Sequence, residues 1–434
     1  MLICKFVTAI CQVIFPIGLL KNEAYGLLMA DIPNSRFLDR TTPPKLITLV
    51  LTAGLAALSL AIFVPSLPKM AEHFGTDYAV MQLSIAGYFL VTGTLQLIIG
   101  PLSDRYGRRP VLLWGILIFV IATIGAIYAP NVETFLAFRM AQGGIATGMV
   151  LSRAVVRDLV PGPSAASMIA YVTMGMAIFP MIGPIVGGYL GETFGWQTTF
   201  WFLATFGAVM LGLVFFDLGE SNSNRSESFS KQFAECPELF GARRYWGFTL
   251  TSMFCSGTFF SYLGGAPQVA NQVYALSETQ TGAYLGLISL GYFFGNYYSG
   301  RNAERLGIFK MMIIGCWFAT TGIGISIILV ALGAASPLAF FGCVVAVGFG
   351  NGLALPSATV GLMSVRPSLA GTAAGVGGAM MVFGGGLLSG TSGFITRDLN
   401  SALPLAVFMF LISAMSIVFT YYTRMVQRQY DPEA

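Results

Sequence analysis

Apolar runs of about 20 residues recur from residue 46 to residue 423, with short polar joints between them. Two of them, VMQLSIAGYFLVTGTLQLIIG (Val80 to Gly100) and PVLLWGILIFVIATIGAIYA (Pro110 to Ala129), hold no charge, yet GPLSDRYGRR between them holds one carboxylate and three arginines. Each run is long enough to cross a bilayer as a helix, the element that satisfies its own backbone in lipid. The pattern predicts an all-α membrane protein of twelve spans at 46–67, 80–100, 110–129, 132–152, 165–190, 197–216, 246–268, 280–300, 310–331, 338–357, 370–394 and 402–423.

One long polar interruption, 217–245 with SNSNRSESFSKQ in it, divides the spans six and six. The expected organisation is a lead (1–45), a six-helix half (46–216), a linker (217–245), a second six-helix half (246–423) and a tail (424–434). A repeat supports it: Gly100-x₃-Asp104-Arg105-x-Gly107 returns as Gly300-x₃-Glu304-Arg305-x-Gly307, at equivalent joints 200 residues apart. Two pseudo-symmetric halves suit a transporter whose substrate site lies where the repeats meet.

An even number of spans puts both termini on one side. The joints on that side carry 18 Lys and Arg, against two, Lys69 and Arg397, on the other. The excess predicts cytoplasmic termini in a cytoplasmic (inner) membrane. Composition agrees with the span pattern: 55% of residues are hydrophobic and 10% charged, against roughly 25% charged in soluble domains. The formal charge of +4, spread over the joints, gives no basic patch for nucleic acid. A single histidine, His73, excludes a histidine-rich metal site, and none of the six cysteines falls in a joint on the outer side, so no metal and no disulfide is expected. Residues 1–28 offer only 15 residues between Lys5 and Lys21, interrupted by Gln12 and Pro16, which is short for a span.

Three stretches carry candidate chemistry. In GPLSDRYGRR, Gly100 and Gly107 suit a tight turn, Asp104 suits the positive end of a neighbouring helix, and Arg105, Arg108 and Arg109 suit carboxylates or lipid phosphates. In LAFRMAQGGIAT, Arg139 lies roughly 12 Å of helix beyond Asn131. A charge at the bilayer centre costs on the order of 3 kcal/mol or more, so Arg139 should face the bundle interior, with Gln142 on the same face. In the fifth span, Gly183-Pro184-x-x-Gly187-Gly188 combines a bend with a close-approach ridge, Gly183, Gly187 and Gly191. Polar and aromatic cavity candidates in the second half are Tyr262, Tyr292, Asn296, Asn351 and Met380, each equally suited to packing; Gly282/Gly286, Gly291/Gly295 and Gly348/Gly352 are further close-approach pairs.

These stretches resemble the signatures of the major facilitator superfamily, in its twelve-span drug:proton antiporter branch. The loop stretch matches in full, Arg139-x-x-Gln142-Gly143 looks like the fourth-span signature, and Gly183-Pro184-x-x-Gly187-Gly188 partly matches the fifth-span one, with Ala170 and Phe179 where that family has glycines. VPSLPKMAEHFG, RAVVRDLV and GWQTTFWFL are similar to the Bcr/CflA multidrug-efflux subfamily, although Ala61 stands where its members often carry an acid. The resemblance implies alternating-access export of small hydrophobic compounds against protons by a working monomer. It also implies a latch at Asp104, Gly107 and Arg108 that steadies the outward-facing state. No cofactor is expected beyond a proton gradient.

The alternatives are an exporter or importer of a metabolite such as a sugar or amino acid, and a membrane receptor or enzyme. The fifth-span signature weighs against import. The chain has no G-x₄-G-K-S/T loop and no H-E-x-x-H, which weighs against ATP-driven export and metalloenzyme chemistry. No carboxylate sits at mid-depth, so Asp158 or Glu192 at span ends would carry any coupling, and the fixed cavity charge, Arg139, favours neutral or weakly anionic substrates. A chain begun at Met29 is expected to insert and to work. Failure of that shortened chain to accumulate in membranes, when the full chain does, would give residues 1–28 a role.

Overall fold

The computed structural model describes residues 32, 35–160, 163–222, 239–333, 336–366, 370–397 and 401–430. The leading segment 1–28, the expected start at Met29 and the middle of the linker, 223–238, lie outside the described residues.

Among the described residues the regular elements are all helical. The first half holds α1 (Leu46–His73), α2 (Tyr78–Tyr106), α3 (Arg108–Ile127), α4 (Val132–Ala141 and Ala146–Leu159), α5 (Pro163–Phe194) and α6 (Gln197–Asp217). The second holds α7 (Arg243–Gln272), α8 (Glu278–Leu306), α9 (Ile308–Ala331), α10 (Pro337–Ser364), α11 (Ala370–Ile395) and α12 (Leu403–Tyr430). Nine of these are long and apolar enough, by length and composition, to cross a membrane. The exceptions are α4, which is broken, and α7 and α8, which are richer in polar residues.

Three local departures from the span pattern shape the interior. First, α1 is not straight: the helix stops at Ala61, a 3₁₀ turn runs Val64–Ser66 around Pro65, and a short helix continues from Leu67. Proline lacks the N–H that an unbroken helix needs there. Second, Gly100 is not in a turn. It lies inside α2, which runs on to Tyr106 through Pro101, because a helix continues past its apolar stretch once its end is in water. The turn is made by Gly107 alone, with φ +100°, and Gly307 repeats it with φ +77° between α8 and α9. Only glycine holds such angles without strain, so the 200-residue repeat is a repeat of backbone geometry. Third, α4 is interrupted by a 3₁₀ turn at Gln142–Ile145.

The two halves meet where α2 packs on α11 and α5 on α8. Both crossings lie towards the end of the bundle away from the linker, here called the far end. Along α2 and α11, a Cβ on Gly386 would meet Ala86 and Phe89, and one on Gly93 would meet Ala379 and Phe383. Nearer the linker end, a Cβ on Gly378 would meet only Gln96, at 3.7 Å, and Gly100 and Gly375 have nothing within 4 Å. The helices therefore touch at the far end and diverge towards the linker end. The core follows the same geometry. One buried cluster joins Phe63, Met70 and Phe89 of the first half to Phe260, Tyr262 and Phe341 of the second.

α5 is the hinge of this packing, and its GPxxGG stretch explains why. Gly183 packs on Leu58 and Ala61 of α1, Gly187 sits against the Ile62 carbonyl, and Gly188 sits against the Glu278 carbonyl of α8. Adjacent glycines thus serve opposite neighbours, one inside the half and one across to the other. Gly187→Ala would drive a methyl into a backbone carbonyl, and overpacking of this kind costs about 1–3 kcal/mol. Thermal melting of the purified protein should show that loss. Gly212→Ala, at a position with nothing within 4 Å, should instead be neutral or stabilising by up to about 1 kcal/mol.

Candidate substrate and coupling site

Arg139 lies on α4 one turn before the 3₁₀ break and is wholly buried. Its Nε donates to the Ser84 carbonyl at 3.2 Å, its Nη2 to the Ser59 carbonyl at 2.9 Å and its Nη1 to Gln142 Oε1 at 2.5 Å. Ser59 belongs to the last turn of the first part of α1, where carbonyls lose their helical partners. The kink at Pro65 thus supplies an acceptor for a buried guanidinium. Above and below, the guanidinium carbon lies 4.4 Å from the Phe63 ring centroid and 4.1 Å from that of Tyr88, an arrangement favourable to a desolvated cation. Gln142 Nε2 donates to Thr123 Oγ1 at 2.8 Å, and the Tyr88 and Ser59 hydroxyls are 2.9 Å apart.

Arg139 therefore faces inward with Gln142 beside it, but it lines no open surface. Its partners are carbonyls, an amide and two rings, and no carboxylate among the described residues pairs with it. An accessible cation lies elsewhere. Arg153, on the linker-end part of α4, is solvent-exposed and lies near Tyr292 of α8 across the divide between the halves. In the sequence Arg153 is one of the 18 Lys and Arg on the majority side. Its spacing from Arg139, 14 residues or about four helical turns, was the signal that both lie on one side of α4.

The second-half candidates separate into two kinds. Tyr262 is wholly buried, packs tilted against Phe340 and edge-on against Phe341, and its hydroxyl donates to the Tyr284 carbonyl at 3.2 Å. Asn351 is buried and ties α10 to α7 through the Cys255 carbonyl at 3.0 Å. Both hold helices together. Tyr292 and Asn296 are half-buried, share one stretch of α8, and face the divide near Arg153. The glycine pairs of the second half bind α8 on two sides: Gly282 and Gly286 to α5, and Gly291 and Gly295 to the α10 backbone, where Gly348 and Gly352 return the contact. Met380 is half-buried on α11.

The α2–α3 joint is a charged network. Arg108 is 4% exposed. It pairs with Asp104 at 2.6 Å and with Asp158 of α4 at 2.9 Å, and its Nη1 donates to Ser103. The acid at the N-terminus of α3 is Glu220. Its carboxylate accepts the backbone N–H groups of Arg108 and Arg109 at the start of α3, at 2.8 and 3.3 Å, where the helix dipole favours an anion. A Cβ on Gly107 would collide with that carboxylate. Arg109 donates to the Leu218 and Phe215 carbonyls and lies 5.0 Å from the Phe215 ring centroid. Arg105 is exposed and lies over Tyr106. The joint thus clamps α2 and α3 to the ends of α4 and α6.

At the far end, polar bonds cross between the halves. Lys69 pairs with Glu278 at 2.5 Å, and Arg397 with Asp77 at 2.6 Å. The Ser66 hydroxyl donates to Glu278. Glu192 accepts the Thr279 N–H at 2.9 Å, the Tyr78 hydroxyl donates to the Gly264 carbonyl at 2.7 Å, and Gln82 donates to Ser389 at 2.9 Å. Lys69 and Arg397, the two cations left on the minority face by the charge count, both bridge the halves. Glu278 was not singled out from the sequence; the signal available was an acid inside a Ser-x-x-Gln capping box, directly after its serine, at the start of α8.

Comparison with known proteins agrees with this architecture. The family described as Major Facilitator Superfamily matches residues 49–390. Multidrug resistance protein D of Escherichia coli (strain K12) is 27% identical over 388 residues, covering 83% of this chain and 91% of that one. A chloramphenicol resistance protein of Pseudomonas aeruginosa is 27% identical over 367 residues, covering 83% and 86%. Among solved structures, a D-xylose-proton symporter superposes with a TM-score of 0.71 at 15% identity, covering 87% of this chain and 96% of that one. A bacterial homolog of the human lysosomal transporter Spinster, inward-facing and unoccupied, gives a TM-score of 0.69 at 15% identity, covering 88% and 96%. At that identity the likeness concerns the fold.

Asp104→Asn keeps the shape of the joint and removes one of the two carboxylates on Arg108. Partial loss of a buried, hydrogen-bonded charge pair costs about 3 kcal/mol, so efflux should fall while the protein still inserts. Normal efflux by a well-expressed Asp104→Asn protein would reduce the joint to a topological anchor.

Proposed function

We propose a function from the premise that the chain belongs to the Major Facilitator Superfamily: it is a secondary active transporter that exports small hydrophobic compounds of the drug class by proton antiport with alternating access. The observation that carries this reading is the one-ended closure of the two halves. Their polar and backbone contacts gather at the far end, and α2 and α11 part towards the linker end. A bundle closed at one end and parted at the other is one of the two states an alternating-access carrier must visit. Relatives named for multidrug, chloramphenicol and bicyclomycin resistance support export of drugs over uptake of nutrients.

In this reading the linker end is cytoplasmic, because its joints carry the Lys and Arg excess. The termini are then cytoplasmic, the far end faces outward, the conformation is inward-facing, and a single chain is the working unit in the inner membrane. The linker-end joint, with Asp104, Arg105, Arg108 and Arg109, acts as the conformational latch.

The interior charge sets the substrate class. Among the described residues Arg139 has no acid partner, and Arg153 is exposed near Tyr292. A low-dielectric bundle with a net positive interior repels cations and attracts carbonyl and nitro dipoles or weak anions. Neutral or weakly anionic compounds, amphenicols among them, are the preferred cargo, with Arg153, Tyr292 and Asn296 as the contacts that reach them.

The test is resistance of an efflux-deficient bacterium expressing the chain, across a panel of compounds, with and without a proton uncoupler. Resistance to neutral amphenicols should rise and should vanish with the uncoupler. Arg153→Gln removes a charge-assisted hydrogen bond worth about 1.5–3 kcal/mol, so export of those compounds should fall roughly 10- to 100-fold. Arg139→Ala should abolish export by opening the Ser59–Ser84–Gln142 knot, and Arg139→Lys should restore it only in part, lacking the planar fork. Robust export of ethidium-like cations, unaffected by either arginine, would contradict the charge assignment.

A further inference from the structure

Two thiols meet inside the second half. Cys255 of α7 and Cys316 of α9 place their sulfurs 3.6 Å apart, and both are free and buried, 4% and 1% exposed. They lie roughly 18 Å and 12 Å of helix in from the linker-end starts of α7 and α9. α10 and α12 complete the enclosure. Asn351 of α10 donates to the Cys255 carbonyl at 3.0 Å, and the Thr420 hydroxyl of α12 lies 3.4 Å from the Cys316 sulfur. The apolar neighbours are Ala354, with Leu355 and Ile417 packed against the cluster. Cys343 of α10 is also free but does not share the site. α9 meets α10 at Gly315 beside Gly350, and again at Gly322 beside the Cys343 carbonyl, roughly 9 Å of helix beyond Cys316.

We propose that Cys255 and Cys316 form a dithiol site for a small monosubstituted trivalent arsenical, R–As(OH)₂, held through two As–S bonds. The sulfur separation fits such a bridge. Two sulfurs bound at about 2.3 Å to one atom, at the angles of a pyramidal or tetrahedral centre, stand roughly 3.4–3.8 Å apart. The reaction needs no oxidant. Each S–H gives its proton to an arsenic hydroxyl, two waters leave, two As–S bonds replace two As–O bonds, and arsenic stays trivalent. The product carries no charge, which suits an interior where a bare pair of thiolates would be costly. Ligand number selects this class over a metal ion. A structural zinc takes four ligands, and among the described residues no group of three or more His, Cys, Asp and Glu could hold a metal ion. A monosubstituted arsenical needs two sulfurs and brings its own third substituent, a carbon group matched to Ala354, Leu355 and Ile417. A disulfide is the competing fate, but the sulfurs would have to close from 3.6 Å to about 2.05 Å and lose two electrons to an oxidant. The site lies within one half and stands apart from the transport reading above.

Intact mass spectrometry of the full chain, purified in detergent and kept reduced with a phosphine, tests this with methylarsonous acid as the probe. A chain carrying Cys4→Ser, Cys11→Ser, Cys236→Ser and Cys343→Ser keeps only the pair. It should gain one methylarsenic group less two hydrogens. Peptide mapping of the unaltered chain should find the same group joining the Cys255 and Cys316 peptides, so the result does not depend on a substituted chain folding. The arsenic should resist an excess of monothiol and leave with the dithiol dimercaprol, because one As–S bond holds it while the other opens. Adding Cys255→Ser or Cys316→Ser to the pair-only chain should raise the arsenical concentration needed for half-labelling roughly 100-fold or more, the gain that two-point attachment supplies. Three results would each overturn the proposal: no adduct on the pair-only and unaltered chains, equal labelling of the single-thiol chains, or loss of two hydrogens with no arsenic gained.

Discussion

The backbone-to-backbone approach of α5 to α1 on one side and α8 on the other is the constraint on which the remaining contacts depend. In lipid, helices gain nothing from burying apolar surface against one another, because the lipid is as apolar as their side chains. Close packing and polar bonds must do the joining. At Gly187 and Gly188 no side chain intervenes, and the neighbouring carbonyls of Ile62 and Glu278 come within the space a methyl would fill. That proximity carries the Pro65 kink of α1 to the start of α8, which brings Ser66 and Lys69 to Glu278 and Glu192 to Thr279. The far-end bonds are consequences of a glycine ridge, and they are reversible because they consist of a few polar bonds over a packed surface.

Charge is placed according to how much water each position keeps. Arg139, with none, is held by two carbonyls, an amide and two aromatic faces, and its cost is offset locally. Arg108, nearly buried at the linker-end joint, takes two carboxylates and ties three helix ends together. Arg153 keeps access to the divide and faces Tyr292. Lys69 and Arg397, each about half exposed, bridge the halves where their bonds are screened and easily exchanged. Strong networks thus stay within a half and weaker ones lie between halves, as a carrier that rocks about a central site requires.

Much of this was legible in the chain. Span number, the six-and-six division and the repeated Gly107 and Gly307 turns follow from run length and spacing, because the bilayer fixes the one and backbone sterics the other. The Gly183-Pro184-x-x-Gly187-Gly188 ridge was readable as a close approach, and the depth of Arg139 as a reason for it to face inward. What a hydropathy pattern does not carry is which partners arrive from elsewhere in the chain. Arg139 read as a cavity charge because its acceptors are backbone carbonyls, which have no letter in the sequence. Gly100 read as a turn because apolar length marks the membrane, while the helix itself runs on into water. Glu278 read as a loop acid because its cation lies more than 200 residues away, at Lys69.

Proton counterflow in proteoliposomes holding the purified chain measures the central claim most directly. With a pH-sensitive dye trapped inside and an amphenicol gradient imposed across an otherwise balanced membrane, movement of the drug in one direction should carry protons in the other. The signal should be lost in liposomes without the protein. Drug moving through the protein with no change in internal pH, at a rate indifferent to a proton gradient, would contradict an antiporter and leave a bundle that passes its substrate uncoupled.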